Sequence, residues 1–416
     1  MGTLAAMDAA RSTSARRAGL RVWTVRLVLA LPPLLAAFWV AGTQVHGGPV
    51  WPWSPAMADL EVYRRTGELL LAGGDIFHTD GLLWIYPGFA ALFTVPLALL
   101  TAAQAAALWT VLCTAALAAV IARMGVSGWR LSALTTGCVL FTSPVRETLG
   151  QGQLGLFIVA AVVLYVMPGP RVFRRRILPE GWLVGVATAV KLTPAVVAAY
   201  QFFAGRRKDA LVAFFSFLAA TALGFVLLPG ASAYYWTKLA LGDTGMNSTL
   251  IYAANQSIVG MWSRLTGATS AGGLVLSAAA LVLGVWAAVL VHRSGRVELA
   301  ICTAGVASLL ASPISWGRHY VWLIPLGIVL WRPSDLPGWF RWYGKVWVAW
   351  GLVAPYMWLA RGGNVELTYN AWQEVIVNAG VVGGVVFLVG AAAMALGSRE
   401  DGPSDGDDGV PGTEAA

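Results

Sequence analysis

The chain has 416 residues, 58% of them apolar and only 12% charged, with a formal charge of +8. A soluble domain is nearer one quarter charged, so a soluble enzyme, a disordered chain and a secreted disulfide scaffold are excluded. The apolar runs are long and continuous rather than short and alternating, which excludes a transmembrane barrel and points to an all-α polytopic membrane protein.

Arg11, Arg16, Arg17 and Arg21 precede an apolar run from about Val22 to Gly42, with no clear cleavage site after it. This predicts a retained first helix that starts in the cytoplasm. Further apolar runs cover 104–122, 131–148, 151–167, 181–203, 210–228, 272–292, 297–311, 320–331, 345–360 and 375–397. The tail from Arg399 is rich in Asp, Gly and Pro and is expected to be disordered. Domain organisation is therefore a single membrane domain over 1–398 with an acidic cytoplasmic tail over 399–416.

Basic clusters set the sides by the positive-inside rule and are no nucleic-acid surface. Arg123/Arg130, Arg171/Arg174–Arg176, Arg206–Lys208, Arg293/Arg296 and Arg332/Arg341/Lys345 are all expected in the cytoplasm. The run 181–203 then has basic clusters at both ends and must go up and come back. Pro194 disfavours helical geometry at Thr193 and removes a donor, so two half-helices with Lys191 at the turn are expected. The stretch 82–100 is placed as a re-entrant or juxtamembrane piece broken by Pro87 and Pro96. About twelve crossings result, with both termini in the cytoplasm and two long outer loops, 43–81 and 229–271, framing a cavity. No strong internal repeat is visible.

Cys113, Cys138 and Cys302 lie inside apolar runs without metal spacing and read as small hydrophobes. In the first outer loop, residues 57–71 predict an amphipathic helix at the membrane face. Glu61 is expected to pair with Arg65, and Arg64 with Glu68. Asp59 stands outside that pairing and reads either as the helix N-cap, the favoured reading, or as a general base facing a wet cavity. Tyr86-Pro87-Gly88 opens the re-entrant piece, and Glu147 and Gly150-Gln151-Gly152-Gln153 mark an outer junction. Gly150-x-Gly152-x-x-Gly155 matches a dinucleotide fingerprint formally, but no strand precedes it. Asn247 and Asn255 sit in glycosylation sequons that read as accidental. The late junction carries Arg318 and His319 between Trp316 and Tyr320, either an interfacial anchor or an anion site. A lysine amid apolar residues is expensive and functional by default, so Lys191 reads as a phosphate-binding cation, against snorkelling to the surface. Asp59, Lys191, Arg318 and His319 are thus expected at one depth on one side. There, cations hold a lipid-phosphate leaving group while a carboxylate activates a hydroxyl.

This arrangement resembles the GT-C membrane glycosyltransferases, most closely glycosyltransferase family 87. The matching elements are Asp59 with Tyr63, Tyr86-Pro87-Gly88, the 150–153 stretch, the 187–194 turn, Asn255-Gln256-Ser257 and Ser312-Pro313 through His319. The resemblance implies a GT-C fold and a polyprenyl-phosphate mannose donor. It also implies a lipid-anchored mannoside acceptor, such as a phosphatidylinositol mannoside, used on the periplasmic face of the plasma (inner) membrane. It makes Asp59 the catalytic base and His319 a second catalytic residue, near the acceptor or the donor phosphate. Lys191 and Arg318 would hold the donor phosphate with it, and Glu61, Tyr63, Tyr86, Glu147, Gln151, Gln153, Asn255 and Gln256 would line the substrate cavity. No Asp-x-Asp pair is present, Asp59-x-Glu61 being the nearest, so no metal and no cofactor is expected. The rivals are a transporter or lipid flippase, an inactive scaffold, or a relative acting on lipomannan or arabinan.

Overall fold

The computed structural model describes residues 24–43, 53–171, 178–243, 249–268 and 271–400. The N-terminal arginines, Arg174–Arg176, Asn247 and the tail from 401 lie outside these residues. Among the described residues the chain is helical, its one β-contact being an isolated bridge between Asn255 and Trp316. Five helices are long and apolar enough to cross a membrane, or six if one bent pair is a single span. The four longest of the former are α4 (Ala102–Arg123), α10 (Arg207–Leu227), α13 (Ala271–Arg293) and α17 (Ala371–Glu400). The first apolar run forms α1 (Thr24–Thr43).

Several expected boundaries move. The run 131–148 is split at Thr142, whose extended backbone separates α5 (Gly128–Phe141) from a short α6 (Ser143–Gln151) with Pro144 in its first turn. The chain then bends by 119° into α7 (Gly155–Val166). The run expected over 345–360 begins earlier, as α16 (Gly338–Val353), and stops where Ala354 adopts a left-handed conformation before Pro355. The piece at 82–100 is helical over Gly88–Ala98 (α3), its α-helical turns interrupted by a 3-10 stretch over Leu92–Thr94 just before Pro96. Pro87 precedes the first turn and Pro96 falls in the first turn after a short 3-10 stretch, where a missing N–H costs little. The stretch 229–271, expected as an outer loop, contains two α-helices among its described residues, α11 (Pro229–Ala240) and α12 (Ile258–Thr266). After α14 (Val297–Ala311), a 3-10 turn (Gly317–Trp322) leads into α15 (Leu323–Trp331).

The segment 181–203 does fold back on itself. α8 (Trp182–Val190) and α9 (Ala195–Phe203) are joined by Lys191–Pro194, with Lys191 extended. Arg206, just after α9, pairs with Glu180, just before α8, so the hairpin's two ends touch. Nine residues rise about 14 Å, half the apolar thickness of a bilayer. α8 runs alongside α10, with Gly185 against Ala213 and Ala189 clustered with Ala220, so the end of α10 at Leu227 continues past the hairpin tip. Lys191 therefore sits about 7 Å below that end of α10 rather than level with it.

Basic groups gather at the opposite end. Arg123 donates to the carbonyls of Gly169 and Pro170, Arg293 to that of Phe203, and Arg332 and Arg296 pair with Glu298 and Asp335 at 2.9 and 2.8 Å. These contacts tie together helix ends that charge alone had assigned to one side.

Candidate active site

Asp59 lies in the first turn of α2 (Ala58–Leu71), but Met57 occupies the cap position and no side chain caps the helix. The favoured N-cap reading of Asp59 is thereby corrected. Its carboxylate points away from its own helix: Oδ2 accepts from Gln153 Nε2 at 3.0 Å and lies 3.2 Å from Arg318 Nε. The Arg318 N–H is not aimed at that oxygen, so this is a contact of charges rather than an aligned hydrogen bond. The Asp59 and Arg318 side chains each keep 18% exposure, enough for water or a substrate atom to reach them.

Local backbone geometry makes these contacts possible. Gly152 ends α6 with φ +68°, and a Cβ there would lie 2.5 Å from Leu60 Cβ. Only glycine combines that conformation with that approach, and the approach sets Gln153 beside Asp59. Buried Gln153 is the hub. Its Oε1 accepts from the Tyr63 hydroxyl at 3.0 Å, the Tyr86 hydroxyl at 3.3 Å and the Leu154 amide at 2.9 Å. With Oε1 committed to three donors, the amide must present its NH2 to Asp59. Burial, then the Asp59 charge, push the Tyr86 hydroxyl up to about 12, so it remains a donor. Trp84 and Trp109 pack against Tyr63 and close the apolar side of the hub.

The 3-10 turn brings the cations. The segment before α12 runs beside the segment before this turn: Gln256 N donates to Ser315 O and Gly317 N to Ala254 O. Asn255 locks the pairing, accepting from Ser315 N at 2.9 Å and donating to Leu250 O and Pro313 O. Gln256 donates to Ala253 O and Val377 O. Asn255 and Gln256, expected on the substrate cavity, are thus fully buried and support the turn from behind. Thr148 donates to Arg318 O at 3.0 Å, docking the turn on α6. His319 Nδ1 accepts from Trp316 N at 3.2 Å, and His319 Nε2 lies 3.0 Å from Lys191 Nζ. Lys191 also stands over the Tyr86 ring, 5.9 Å from its centre.

The turn, the hairpin tip, α2 and the α6–α7 corner therefore bring Asp59, Lys191, Arg318, His319, Gln153, Tyr63 and Tyr86 together. Glu147 is buried at the edge of this cluster, where it accepts from Ser143 at 2.7 Å; Gly317 leaves it room beside the Tyr356 hydroxyl. Gln151, half-buried, makes none of these contacts. Glu61 does not belong to the cluster: it is exposed and lies 3.4 Å from Arg64. Its expected partner Arg65 turns instead to the carbonyls of Asp80 and Leu82, while Arg64 and Glu68 pair at 2.6 Å as expected. Loop carbonyls compete well for a guanidinium that can reach them, because they lose little entropy on pairing.

Arg264 escaped the reading of the sequence. It is buried in α12 and donates to Asn378 at 2.9 Å, Asn255 O at 2.9 Å and Tyr252 O at 3.2 Å, fixing the segment that carries the late turn. An arginine on the apolar side of a short amphipathic helix was the available signal. Among the described residues no group of three or more metal-ligating side chains occurs. A large concavity, about 850 Å³, lies away from the cluster, along α8 and α10, and is lined mainly by apolar side chains such as Phe89, Trp182 and Leu223.

A sequence model of glycosyltransferase family 87 matches residues 84–313. A "Polyprenol-phosphate-mannose-dependent alpha-(1-2)-phosphatidylinositol mannoside mannosyltransferase" of Mycobacterium tuberculosis is 30% identical over 69% of this chain and 72% of its own length. Its namesake from Mycolicibacterium smegmatis is 29% identical over 78% and 79%. A "Polyprenol-phosphate-mannose-dependent alpha-(1-2)-phosphatidylinositol pentamannoside mannosyltransferase" of M. tuberculosis is 35% identical over 60% and 58%. No solved structure is significantly similar.

Proposed function

The chain belongs to glycosyltransferase family 87, and we propose that it transfers mannose from polyprenyl-phosphate mannose to the 2-hydroxyl of a lipid-linked mannoside, a phosphatidylinositol mannoside. We further propose a GT-C fold of about twelve crossings, residues 1–398 forming one domain, in the plasma membrane with the site facing the periplasm. The names of the relatives support donor and acceptor. The collection of basic groups at the end of the bundle remote from the site supports the orientation.

One observation carries the chemistry. A single carboxylate, Asp59, oriented by a neutral amide, lies beside the Arg318 guanidinium, and the Lys191–His319 pair joins them from the hairpin tip and the late turn. A β-linked phosphosugar displaced to give an α linkage inverts the anomeric centre, so one in-line step needs one base. Asp59 takes the proton of the acceptor hydroxyl while that oxygen attacks the sugar carbon. The C–O bond to phosphate breaks, and its electron pair stays on the phosphate. Lys191, His319 and Arg318 stabilise the charge that develops there. Phosphate leaves without an acid, and the sugar–phosphate bond supplies the driving force.

Purified protein given polyprenyl-phosphate mannose and a panel of lipid mannosides is expected to form an α-1,2-linked product. Asp59→Asn keeps the Gln153 contact and is expected to fold, but to lose turnover by about 10²–10⁴-fold, the usual contribution of a general base. Turnover within tenfold of the parent would remove Asp59 from that role.

A further inference from the structure

The hydrogen bonds around His319 fix more than its orientation. Trp316 contributes a backbone N–H, which can only donate, and it donates to Nδ1. A ring nitrogen that accepts carries no proton, so His319 is neutral and its one proton is on Nε2. That nitrogen lies 3.0 Å from Lys191 Nζ. An Nε2–H can only donate, so Nζ accepts. An ammonium has no lone pair with which to accept, and the lysine that fits this geometry is an uncharged amine. The surroundings agree. The charged and titratable groups facing Lys191 are Asp59 from α2, Tyr86 from the segment before α3, and Arg318 and His319 from the 3-10 turn. Arg318 already supplies one cation and shares Asp59 with it, and burial disfavours a second uncompensated charge.

We propose that Lys191, as a neutral amine held by His319, takes up one proton when a sugar phosphodiester binds, so that donor binding is proton-coupled. This rests on the mannosyl-transfer reading of the same site. The phosphodiester brings one negative charge. One proton from water converts the amine to an ammonium, which pairs with a phosphate oxygen. His319 stays neutral, because Trp316 still occupies Nδ1, and turns its Nε2–H from lysine to phosphate. The added charge is then in place when the sugar–oxygen bond breaks and the phosphate acquires its second negative charge. Before the donor arrives the site thus carries one cation, Arg318, although three basic-looking residues, Lys191, Arg318 and His319, gather there.

The test is calorimetric titration of the full-length protein in lipid nanodiscs with polyprenyl-phosphate mannose, without acceptor. It is run at pH 8 to 9 in buffers of different ionisation enthalpy. A phosphodiester does not itself titrate in this range. The expected result is uptake of about one proton per donor bound, with affinity falling about tenfold per pH unit. Lys191→Arg, always charged, should bind with no uptake, and Asp59→Asn should retain it. Binding without proton uptake in the parent protein overturns the inference and leaves the enzymatic reading intact. So does equal uptake in Lys191→Arg or in Lys191→Met, the variant to use if arginine does not fit. Failure of the donor to bind at all sinks the enzymatic reading instead.

Discussion

Replacing Gln153 by Glu tests how the base is held. The two side chains have the same shape, and Oε1 can still accept from Tyr63, Tyr86 and the Leu154 amide. Only one contact changes character: the NH2 that donates to Asp59 at 3.0 Å becomes an oxygen. Two carboxylates at that separation repel by about 5 kcal/mol at an effective dielectric of about 20. Arg318, 3.2 Å from Asp59, offsets part of this. The remainder corresponds to one or more pH units, at about 1.4 kcal/mol each, so the variant pair should share a proton. The assay is kcat/KM for mannosyl transfer against pH, whose rising limb reports the free enzyme's base. That limb is expected to move about one to three units to alkaline pH, with the rate falling about tenfold for each pH unit below its new midpoint. Gln153→Met supplies the contrast. It leaves buried donors without an acceptor, costs about 2–4 kcal/mol of stability, and should lower the rate without an alkaline shift. A Gln153→Glu profile superimposable on the parent's would refute the reasoning, since the amide would then not be what meets the base.

Two further outcomes follow from the scaffold. Gly152→Ala puts a methyl 2.5 Å from Leu60 Cβ at φ +68°, and is expected to destabilise by about 2–5 kcal/mol. Gly267→Ala, at φ +70° with nothing within 4 Å, should cost only about 1–2 kcal/mol; thermal unfolding in detergent distinguishes them, and equal losses would show that the α2–α6 approach is not tight. Arg264→Met strips three hydrogen-bond acceptors of a buried partner. Its loss is expected to cost about 2–4 kcal/mol, and to lower donor affinity by loosening the segment that positions Arg318 and His319. Unchanged unfolding and unchanged KM would show that the late turn holds itself.

Much of the site was legible as residue types but not as roles. Lys191 stood out because a charge in an apolar run is expensive, and Pro194 beside it signalled the break that the hairpin confirms. Gln153 appeared only as one polar residue in a glycine-rich corner, because nothing local indicates that two tyrosines and an aspartate from distant segments converge on it. Asn255 and Gln256 looked like lining for the same reason in reverse: an amide reads alike whether it faces a substrate or a buried carbonyl. Glu61 was expected to line a cavity, and its helix turns it outward instead.

The sequence by itself determined the helical class, the long apolar runs, the grouping of basic clusters and the break at Pro194. These depend on composition, on charge and on proline, all of which act over a few residues. Only the tertiary structure decided which breaks meet. The 119° corner after α6, the half-depth hairpin and the late turn converge because of side-chain packing and carbonyl partners far apart in the chain. Such long-range pairings leave no periodic signal. The same convergence fixed the tautomer of His319, and with it the charge of Lys191, which no reading of residue order supplies.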